Sequence, residues 1–159
     1  MGSDYMPDTV PNITTTDDFR NQVYTRNTIY YNPAVTYRPW RTAVGGRVAD
    51  TPYNCVYNSN TLLTGCVNLG AADRVFHVPK PGITNIADGS QYDRFVFRST
   101  GGVQKGVWVA GAWAYTPVTD FSWPVVGPPA TTIVRTIAEE KQNFATWSSF
   151  HRTRNKTAK

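Results

Sequence analysis

The sequence has few of the residues on which enzymes and metalloproteins usually rely. Of its 159 residues only two are cysteines and two are histidines, and charged residues make up 17%. The spacing of Cys55 and Cys66 is not that of a zinc site, and no second His or Cys pair completes a set of four ligands. We therefore expect neither a metal site nor a cofactor.

Catalytic sequence motifs are also missing. There is no phosphate-binding glycine loop, nucleophile elbow or zinc-protease helix. The acidic pairs Asp17-Asp18 and Glu139-Glu140 are adjacent in sequence, so their carboxylates diverge in an extended chain or a helix. His77 lies in a predicted strand and His151 in a predicted helix, each without a catalytic neighbour in sequence. We expect no catalytic residues and a protein that is not an enzyme.

Long apolar runs and widespread basic charge are absent as well. No run reaches the roughly 18 apolar residues of a transmembrane helix, so no membrane span is predicted. The net charge of +5 comes largely from Arg152, Arg154, Lys156 and Lys159 near the C-terminus. Because no other stretch combines basic residues with aromatic ones, we do not expect nucleic-acid binding.

Aromatic and turn-forming residues are abundant. The chain contains 7 Phe, 9 Tyr and 5 Trp, together with 12 Gly and 11 Pro. Its length suffices for one domain with a hydrophobic core, and frequent Gly and Pro favour short strands over long helices. The predicted fold class is α+β, predominantly antiparallel β with long loops and one C-terminal amphipathic helix.

The clearest strand signals lie in the second half of the chain. Residues 92–98 alternate with Phe95 and Phe97 on one face, and residues 99–102 form a plausible hairpin turn. Residues 103–116 also alternate, which predicts one central, covered strand with Trp113 on the same face as Val107 and Val109, and Trp108 on the other.

Three further segments complete the predicted β structure. Residues 74–78 and 131–135 are each predicted as a short strand. Residues 117–130 contain four prolines and are interpreted as a connector.

The C-terminal region changes to a helical pattern. Thr136 and Glu139 have the spacing of a capping box, which predicts a helix that begins there and extends to about residue 155. Its aromatic stripe includes Phe144, Trp147 and Phe150. We expect Phe144 and Trp147 to be at least half buried, and Phe150 to be more exposed or in contact with a second copy.

Residues 27–40 read Asn-Thr-Ile-Tyr-Tyr-Asn-Pro-Ala-Val-Thr-Tyr-Arg-Pro-Trp. Two short β-prone runs, 28–31 and 34–37, flank an Asn-Pro step that favours a turn. On composition alone the aromatic side chains of this stretch are core anchors. The order of its residues, however, resembles the Asn-x-Ile-Tyr-Tyr-Asn-Pro-x-x-Thr-Tyr-x-Pro-Trp motif of the PilY/PilC family. This family comprises the type IV pilus biogenesis factors and tip adhesins of Gram-negative bacteria.

A second block resembles the same family. Residues 140–147 read Glu-Lys-Gln-Asn-Phe-Ala-Thr-Trp, similar to the family's Glu-x-Gln-Asn-Phe-Ala-x-Trp segment. The following Phe-His-Arg-Thr-Arg departs from the family's Tyr-Tyr-Arg-x-Arg in its first two residues. Residues 41–135 match only loosely. The positions that carry the resemblance are Asn27, Ile29, Tyr30, Tyr31, Asn32, Pro33, Tyr37, Pro39, Trp40, Gln142, Asn143, Phe144, Trp147 and Arg152.

The resemblance implies an insertion within a von Willebrand factor A-like domain. In this reading residues 1–3 are an expression scar, 4–26 an irregular segment with a helical turn near 17–22, and 27–135 a β-rich insertion domain. Residues 136–155 form the C-terminal helix, and 156–159 a basic tail that is disordered in isolation. The metal-binding motif of the surrounding domain is not in this chain.

The two cysteines leave two alternatives open on their own, either a small disulfide-closed loop or two buried free thiols. The resemblance implies export through the periplasm to the cell surface or pilus tip, where disulfides persist, and hence a Cys55–Cys66 bridge. It also implies a non-enzymatic module that supports adhesion, pilus assembly and surface motility. Its partners are then pilus proteins such as minor pilins, and host-surface receptors. The alternative function is a carbohydrate-binding module that uses exposed aromatic residues.

Overall fold

A computed structural model describes residues 23–57, 65–85 and 88–152 of the chain. The predicted expression scar, the helical turn near residues 17–22, most of the loop between the cysteines and the basic tail lie outside these ranges. In the described ranges the chain forms eight strands and one α-helix. Their bounds are β1 Val56–Tyr57, β2 Cys66–Val67, β3 Arg74–Pro79, β4 Tyr92–Phe97, β5 Val103–Val109, β6 Ala112–Pro117, β7 Asp120–Val125, β8 Thr131–Thr136 and α1 Ile137–Phe150.

All strand pairs are antiparallel. Strands β3, β4, β5 and β6 form a four-stranded sheet in that order, while β1–β2 and β7–β8 form separate two-stranded ribbons. The single helix follows β8 directly at the C-terminal end. This architecture confirms the predicted α+β class with predominantly antiparallel β structure.

The core lies between one face of the four-stranded sheet, the β7–β8 ribbon and α1. Alternation along β3 and β4 places Phe76, Phe95 and Phe97 on the same face, because directly paired residues share a face. Phe144 of α1 contacts two of these rings, with centroids 6.2 Å from Phe76 and 5.4 Å from Phe97. The aromatic residues therefore form one continuous core in which helix and sheet are joined.

The prediction of one strand over residues 103–116 is wrong. The chain reverses at Ala110 and Gly111, whose φ angles are +48° and +85°, and β5 pairs with β6 through Val109 and Ala112. Two successive positive φ angles are typical of a type I′ turn, whose twist matches that of a hairpin. The strand signal is continuous in sequence because Ala110 is not one of the usual turn residues.

The turn also changes which side chains share a face. With two loop residues, Trp108 lies opposite Trp113, so these two tryptophans share a face and Val107 and Val109 lie on the other. The predicted grouping of Trp113 with the valines is therefore wrong. Strand β6 is also an edge strand rather than a central, covered one.

Two other predictions about strands need correction. The β-prone runs at 28–31 and 34–37 form turns and irregular chain, because their polar groups bond to the helix rather than to a neighbouring strand. The connector predicted at 117–130 contains β7, in which Phe121 and Trp123 point into the core while Pro124 points outward. A proline is tolerated there because β7 has β8 as its only strand neighbour.

The helix begins as predicted and ends earlier. The Thr136 hydroxyl accepts a bond from the Glu139 amide, and the Glu139 carboxylate accepts one from the Thr136 amide, as in a capping box. The helix ends at Phe150, with His151 as its C-cap, so the predicted end near residue 155 is too late.

The aromatic stripe packs back onto the chain's own core. Phe144 and Trp147 are buried, which confirms that expectation, but Phe150 is also fully buried rather than exposed at an edge. Trp40 and Tyr57 cover it, with ring centroids 5.5 and 5.7 Å away. The second half of α1 is in fact buried on all sides, including its serine and threonine residues.

Candidate functional site

The stretch 27–40 is held in shape by local hydrogen bonds before it contacts the helix. The Asn32 side-chain oxygen accepts the Ala34 amide at 3.0 Å, and the Asn27 side-chain oxygen accepts the Ile29 amide at 3.3 Å. Bonds of this kind replace a backbone ladder at turns, which is why asparagine precedes each bend. The turns direct Tyr31 and Tyr37 towards α1.

A buried polar cluster joins this stretch to the helix. We call it the motif network, and define it as Tyr31, Trp123, Arg135, Glu140 and Asn143. Glu140 is fully buried and lies at the centre. Its Oε1 accepts the Tyr31 hydroxyl at 2.5 Å, and its Oε2 accepts Trp123 Nε1 and Arg135 at 3.0 Å each. Three donors thus satisfy the carboxylate, as burial of a charge requires.

Arg135 extends the network to the main chain of the motif. Its guanidinium donates to the carbonyl oxygen of Pro33 at 2.6 Å and of Val35 at 3.1 Å, and to the Thr36 hydroxyl at 2.9 Å. The planar fork of arginine allows one side chain to bind these acceptors and Glu140 together. The Asn-Pro turn is therefore held by Arg135, which lies outside both motif blocks, together with Glu140, the first residue of the second block.

Asn143 is the second point of attachment. Its side-chain oxygen accepts the Tyr37 amide at 2.8 Å, and its nitrogen donates to the Val35 carbonyl at 2.9 Å and to the Tyr31 hydroxyl at 3.0 Å. An asparagine side chain can imitate a peptide group, with both a donor and an acceptor. Asn143 thus supplies the pairing that a neighbouring strand would otherwise give to this stretch.

A tryptophan from each motif donates a hydrogen bond to a main-chain carbonyl of the opposite segment. Trp147 Nε1 donates to the Ile29 carbonyl at 2.9 Å, and Trp40 Nε1 donates to the Phe150 carbonyl at 2.8 Å. His151 Nε2 lies 2.8 Å from the Arg38 carbonyl oxygen. The helix and the stretch 27–40 are consequently bonded along the whole length of both.

The tyrosines of this site are poor acids. Burial raises the pKa of Tyr31 well above its usual value, an effect that the nearby Glu140 carboxylate increases, and burial also raises the pKa of Tyr37 to about 12. Both phenols are therefore protonated at neutral pH: the Tyr31 hydroxyl donates to Glu140, and the Tyr37 hydroxyl accepts the Asn32 amide at 3.0 Å. Neither group is suited to general acid–base chemistry near neutral pH.

A depression of about 390 Å³ lies beside the network, lined in part by Thr36, Asp50, Gln142 and Thr146. The Asp50 carboxylate accepts the Thr146 hydroxyl at 2.8 and 2.9 Å, and Gln142 donates to the Thr51 carbonyl at 2.8 Å. These polar side chains are engaged with one another and connect 50–51 to the helix. The polar groups that line the depression therefore serve to attach residues 50–51 to the helix.

A second, more apolar groove of about 500 Å³ lies between the four-stranded sheet and β7. Its walls include Phe95, Trp123, Val78 and several prolines, and its charged side chains include Lys105 and Asp93. Those two form an ion pair with a separation of 2.8 Å. The groove has the shape to receive apolar side chains and holds no histidine, cysteine or serine next to a base.

Cys55 and Cys66 form a disulfide, with Cα atoms 4.8 Å apart and an S–S distance of 2.03 Å. Cys66 lies on β2 opposite Tyr57, next to α1. Closing a loop of this length stabilises a protein by roughly 2–3 kcal/mol, mainly by restricting the unfolded chain. Such bonds are typical of oxidising, extracytoplasmic compartments, and the pairing left open by the sequence is thereby decided.

Other features of the described ranges bear on function. Across 23–57, 65–85 and 88–152, no group of three or more His, Cys, Asp or Glu residues is arranged to hold a metal ion. No helix in the same ranges is long and apolar enough to cross a membrane. None of the aromatic side chains placed there is largely exposed, although several are partly so.

No protein-family model matches the sequence, and comparisons with curated proteins and with solved structures return no match either.

The positions that carry the resemblance divide into two groups in the structure. Those at 27–40 and those on α1 contact each other through the bonds described above, and Arg152 is buried just after the helix. Sequence reasoning missed Arg135, Glu140 and Trp123 as parts of this site. Glu140 was noted as the first residue of the second motif block and as one of an adjacent acidic pair, but not as a buried charge. Its separation from Glu139 by one helical step places one carboxylate in the interior and leaves the other exposed.

Proposed function

We propose that this chain is a non-enzymatic module of a type IV pilus tip-associated adhesin or biogenesis protein. The observation that carries the proposal is the mutual bonding of the two motif blocks. Tyr31 and Tyr37 lie more than a hundred positions before Asn143 in sequence, and yet all three share one set of hydrogen bonds. The two blocks that resemble the family are far apart in sequence but are hydrogen-bonded to each other in the fold. This is expected if both blocks belong to one inherited structural unit.

The chemistry of the site supports a binding or structural role. The buried charges of the network are satisfied by fixed donors, and its tyrosines are protonated. The disulfide suits export to the periplasm and cell surface of a Gram-negative bacterium. In this proposal the partners are minor pilins and host-surface receptors, and the module works through its surface rather than through a reaction.

A deletion in the full-length protein tests the proposal. The unit to remove is 27–150, because the helix shares its core with the stretch 27–40 and would lose its packing in a shorter deletion. We expect fewer surface pili, weaker adhesion or slower twitching motility. Full-length protein carrying Val134→Thr, a change at an exposed position, serves as the control. Wild-type adhesion, motility and pilus number in the deletion strain would refute the proposal.

The carbohydrate-binding alternative is separated from this proposal by a glycan array. Saturable binding of a sugar to the purified chain, abolished by one aromatic substitution at its surface, would favour that alternative. We expect no such binding, because the aromatic side chains in the described ranges are packed into the core or against neighbouring side chains.

A further inference from the structure

The outer edge of the four-stranded sheet is formed by β6, Ala112–Pro117, and among the described strands β5 is its only neighbour. In a hairpin with a two-residue turn, the closing pair Val109–Ala112 exchanges both backbone bonds, and alternate pairs after it do the same. Trp113 and Tyr115 belong to the other set, so their N–H and C=O groups point away from β5. Within the described ranges no main-chain group bonds to them from outside.

Within the part of the chain that the structure describes, this edge has almost none of the features by which proteins protect exposed strands. Such edges usually carry charged side chains, an inward lysine, a bulge or a covering loop. Strand β6 reads Ala-Trp-Ala-Tyr-Thr-Pro, with no charge, and its register with β5 runs without a bulge. Its one protective residue, Pro117, lies at the end of the strand.

We propose that β6 pairs antiparallel with β6 of a second copy of this chain, about a two-fold axis at Ala114. In this register Trp113 lies opposite Tyr115 of the partner subunit, and Tyr115 opposite the partner's Trp113. Each of these two pairs exchanges two backbone hydrogen bonds, so four bonds join the two sheets into one of eight strands.

The side chains of β6 favour a second copy over an unrelated strand. The sequence is self-complementary in this register: an aromatic residue faces an aromatic one in both outer pairs, and such cross-strand pairs stabilise a sheet. On the opposite face Ala114 lies opposite Ala114 of the partner subunit. This is a non-hydrogen-bonded pair, in which the two Cα atoms come close together, so a small side chain is favoured. Strand β6 itself has no charged residue. The guanidinium groups of Arg94 and Arg98 lie over the Trp113 and Tyr115 rings, at 5.6 and 4.9 Å from their centroids.

Sedimentation velocity of the purified chain over a wide concentration range provides the first test. We expect a reversible monomer–dimer equilibrium. Ala114→Lys places two like charges at the axis and should raise the dimer dissociation constant by about tenfold or more, and Ala114→Glu should do the same. Ala114 is exposed, so neither change disturbs the monomer core. Val134→Lys, the same charge at an exposed site on β8, should leave the equilibrium unchanged.

Mixing the two charged variants tests the position of the axis. If Ala114 faces its own copy, a mixture of Ala114→Lys and Ala114→Glu should form heterodimers more tightly than either variant forms dimers with itself. An Ala114→Cys variant should also form a disulfide-linked dimer under mild oxidation, while Val109→Cys should not.

A chain that stays monomeric at all concentrations would overturn the proposal, whether or not another protein's strand binds this edge. A dimer that Ala114→Lys does not weaken, or variants that fail to recover dimerisation on mixing, would also overturn it. None of these outcomes depends on the role of the chain in pili.

Discussion

The carboxylate of Glu140 is the residue on which the polar interior depends most. It is fully buried and accepts bonds from Tyr31, Trp123 and Arg135. Replacing buried ion pairs by apolar residues is often tolerated, but removing one partner leaves the other charge uncompensated in a medium of low dielectric. Removing one charge from the network should therefore cost about as much stability as truncating an aromatic side chain of the core.

We predict that Glu140→Gln lowers the free energy of unfolding by about 3–5 kcal/mol, because Arg135 loses its counter-charge while it stays buried. Urea denaturation measures the change. The matched control is Glu139→Gln, the same substitution one residue earlier, where the side chain is exposed and glutamine also suits the capping box. Equal effects of the two substitutions would show that the charge of Glu140 is unimportant.

His77 provides a second prediction at the scale of single residues. It is buried in β3 on the face opposite Phe76, and burial, together with the positive charge of Arg94, lowers its pKa from 6.5 to about 3. Between these two values the unfolded chain binds a proton that the folded chain does not. Stability contributed by neutral His77 is therefore complete above about pH 6.5 and is lost as the pH falls towards 3.

The expected loss between pH 7 and pH 5 is about 2 kcal/mol, since each pH unit below 6.5 corresponds to roughly 1.4 kcal/mol. Most carboxylates titrate below this range, and comparison with a His77 variant separates the contribution of His77 from that of the second histidine, His151. Urea denaturation at both pH values, for the wild type and for His77→Phe, measures the difference. An equally steep pH dependence in the variant would assign the effect to another group.

At the scale of elements, sequence signals succeeded where the local pattern and the tertiary structure agree. The capping box of Thr136 and Glu139 located the helix start, and the alternation of Phe95 and Phe97 gave the inner face of β4. Local patterns failed at 28–31 and 34–37, where β-prone residues bond to a helix over a hundred positions away. The burial of the last turns of α1 was also misjudged, because serine and threonine side chains usually indicate exposure to solvent. In the fold these side chains pack against other segments of the chain.

The candidate site was predictable only in part. The aromatic and asparagine residues of both motifs were identified, but not the role of Arg135 or the burial of Glu140, because both look like ordinary surface charges in sequence. Only the fold brings the end of β8 and the start of α1 against the turn at Pro33. The ion-pair partner of a charged residue depends on which distant segments meet in the fold, and the sequence alone does not show this.

The turn between β5 and β6 yields a prediction for this element. Ala110 has a φ of +48°, a conformation that costs an alanine about 1 kcal/mol and that asparagine tolerates. We predict that Ala110→Asn, which creates the favoured Asn-Gly turn, stabilises the chain by about 0.5–1 kcal/mol. Thermal denaturation measures the gain. The reciprocal change Gly111→Ala should destabilise the chain, and a lower melting temperature for Ala110→Asn would contradict the turn described here.

At the scale of the whole molecule, the helix and the stretch 27–40 form one unit. The stretch contains no strand or helix of its own, and its shape depends on Asn143, Arg135 and the two tryptophan bonds. An irregular segment that is bonded only to itself opens readily and exchanges its amide hydrogens fast. A segment that shares its bonds with the core opens only when the core does.

Hydrogen exchange at the Tyr37 amide tests this claim most directly, because that N–H donates to the side chain of Asn143 and to no strand. We predict that in the wild type it exchanges with the same opening free energy as the amides of Phe144 and Trp147. In Asn143→Ala its protection should be lost, while Gln142→Ala, which removes a bond to Thr51 instead, should leave it protected relative to the helix. Rapid exchange at Tyr37 in the wild type, with the helix still protected, would show that the two motifs do not fold as one unit.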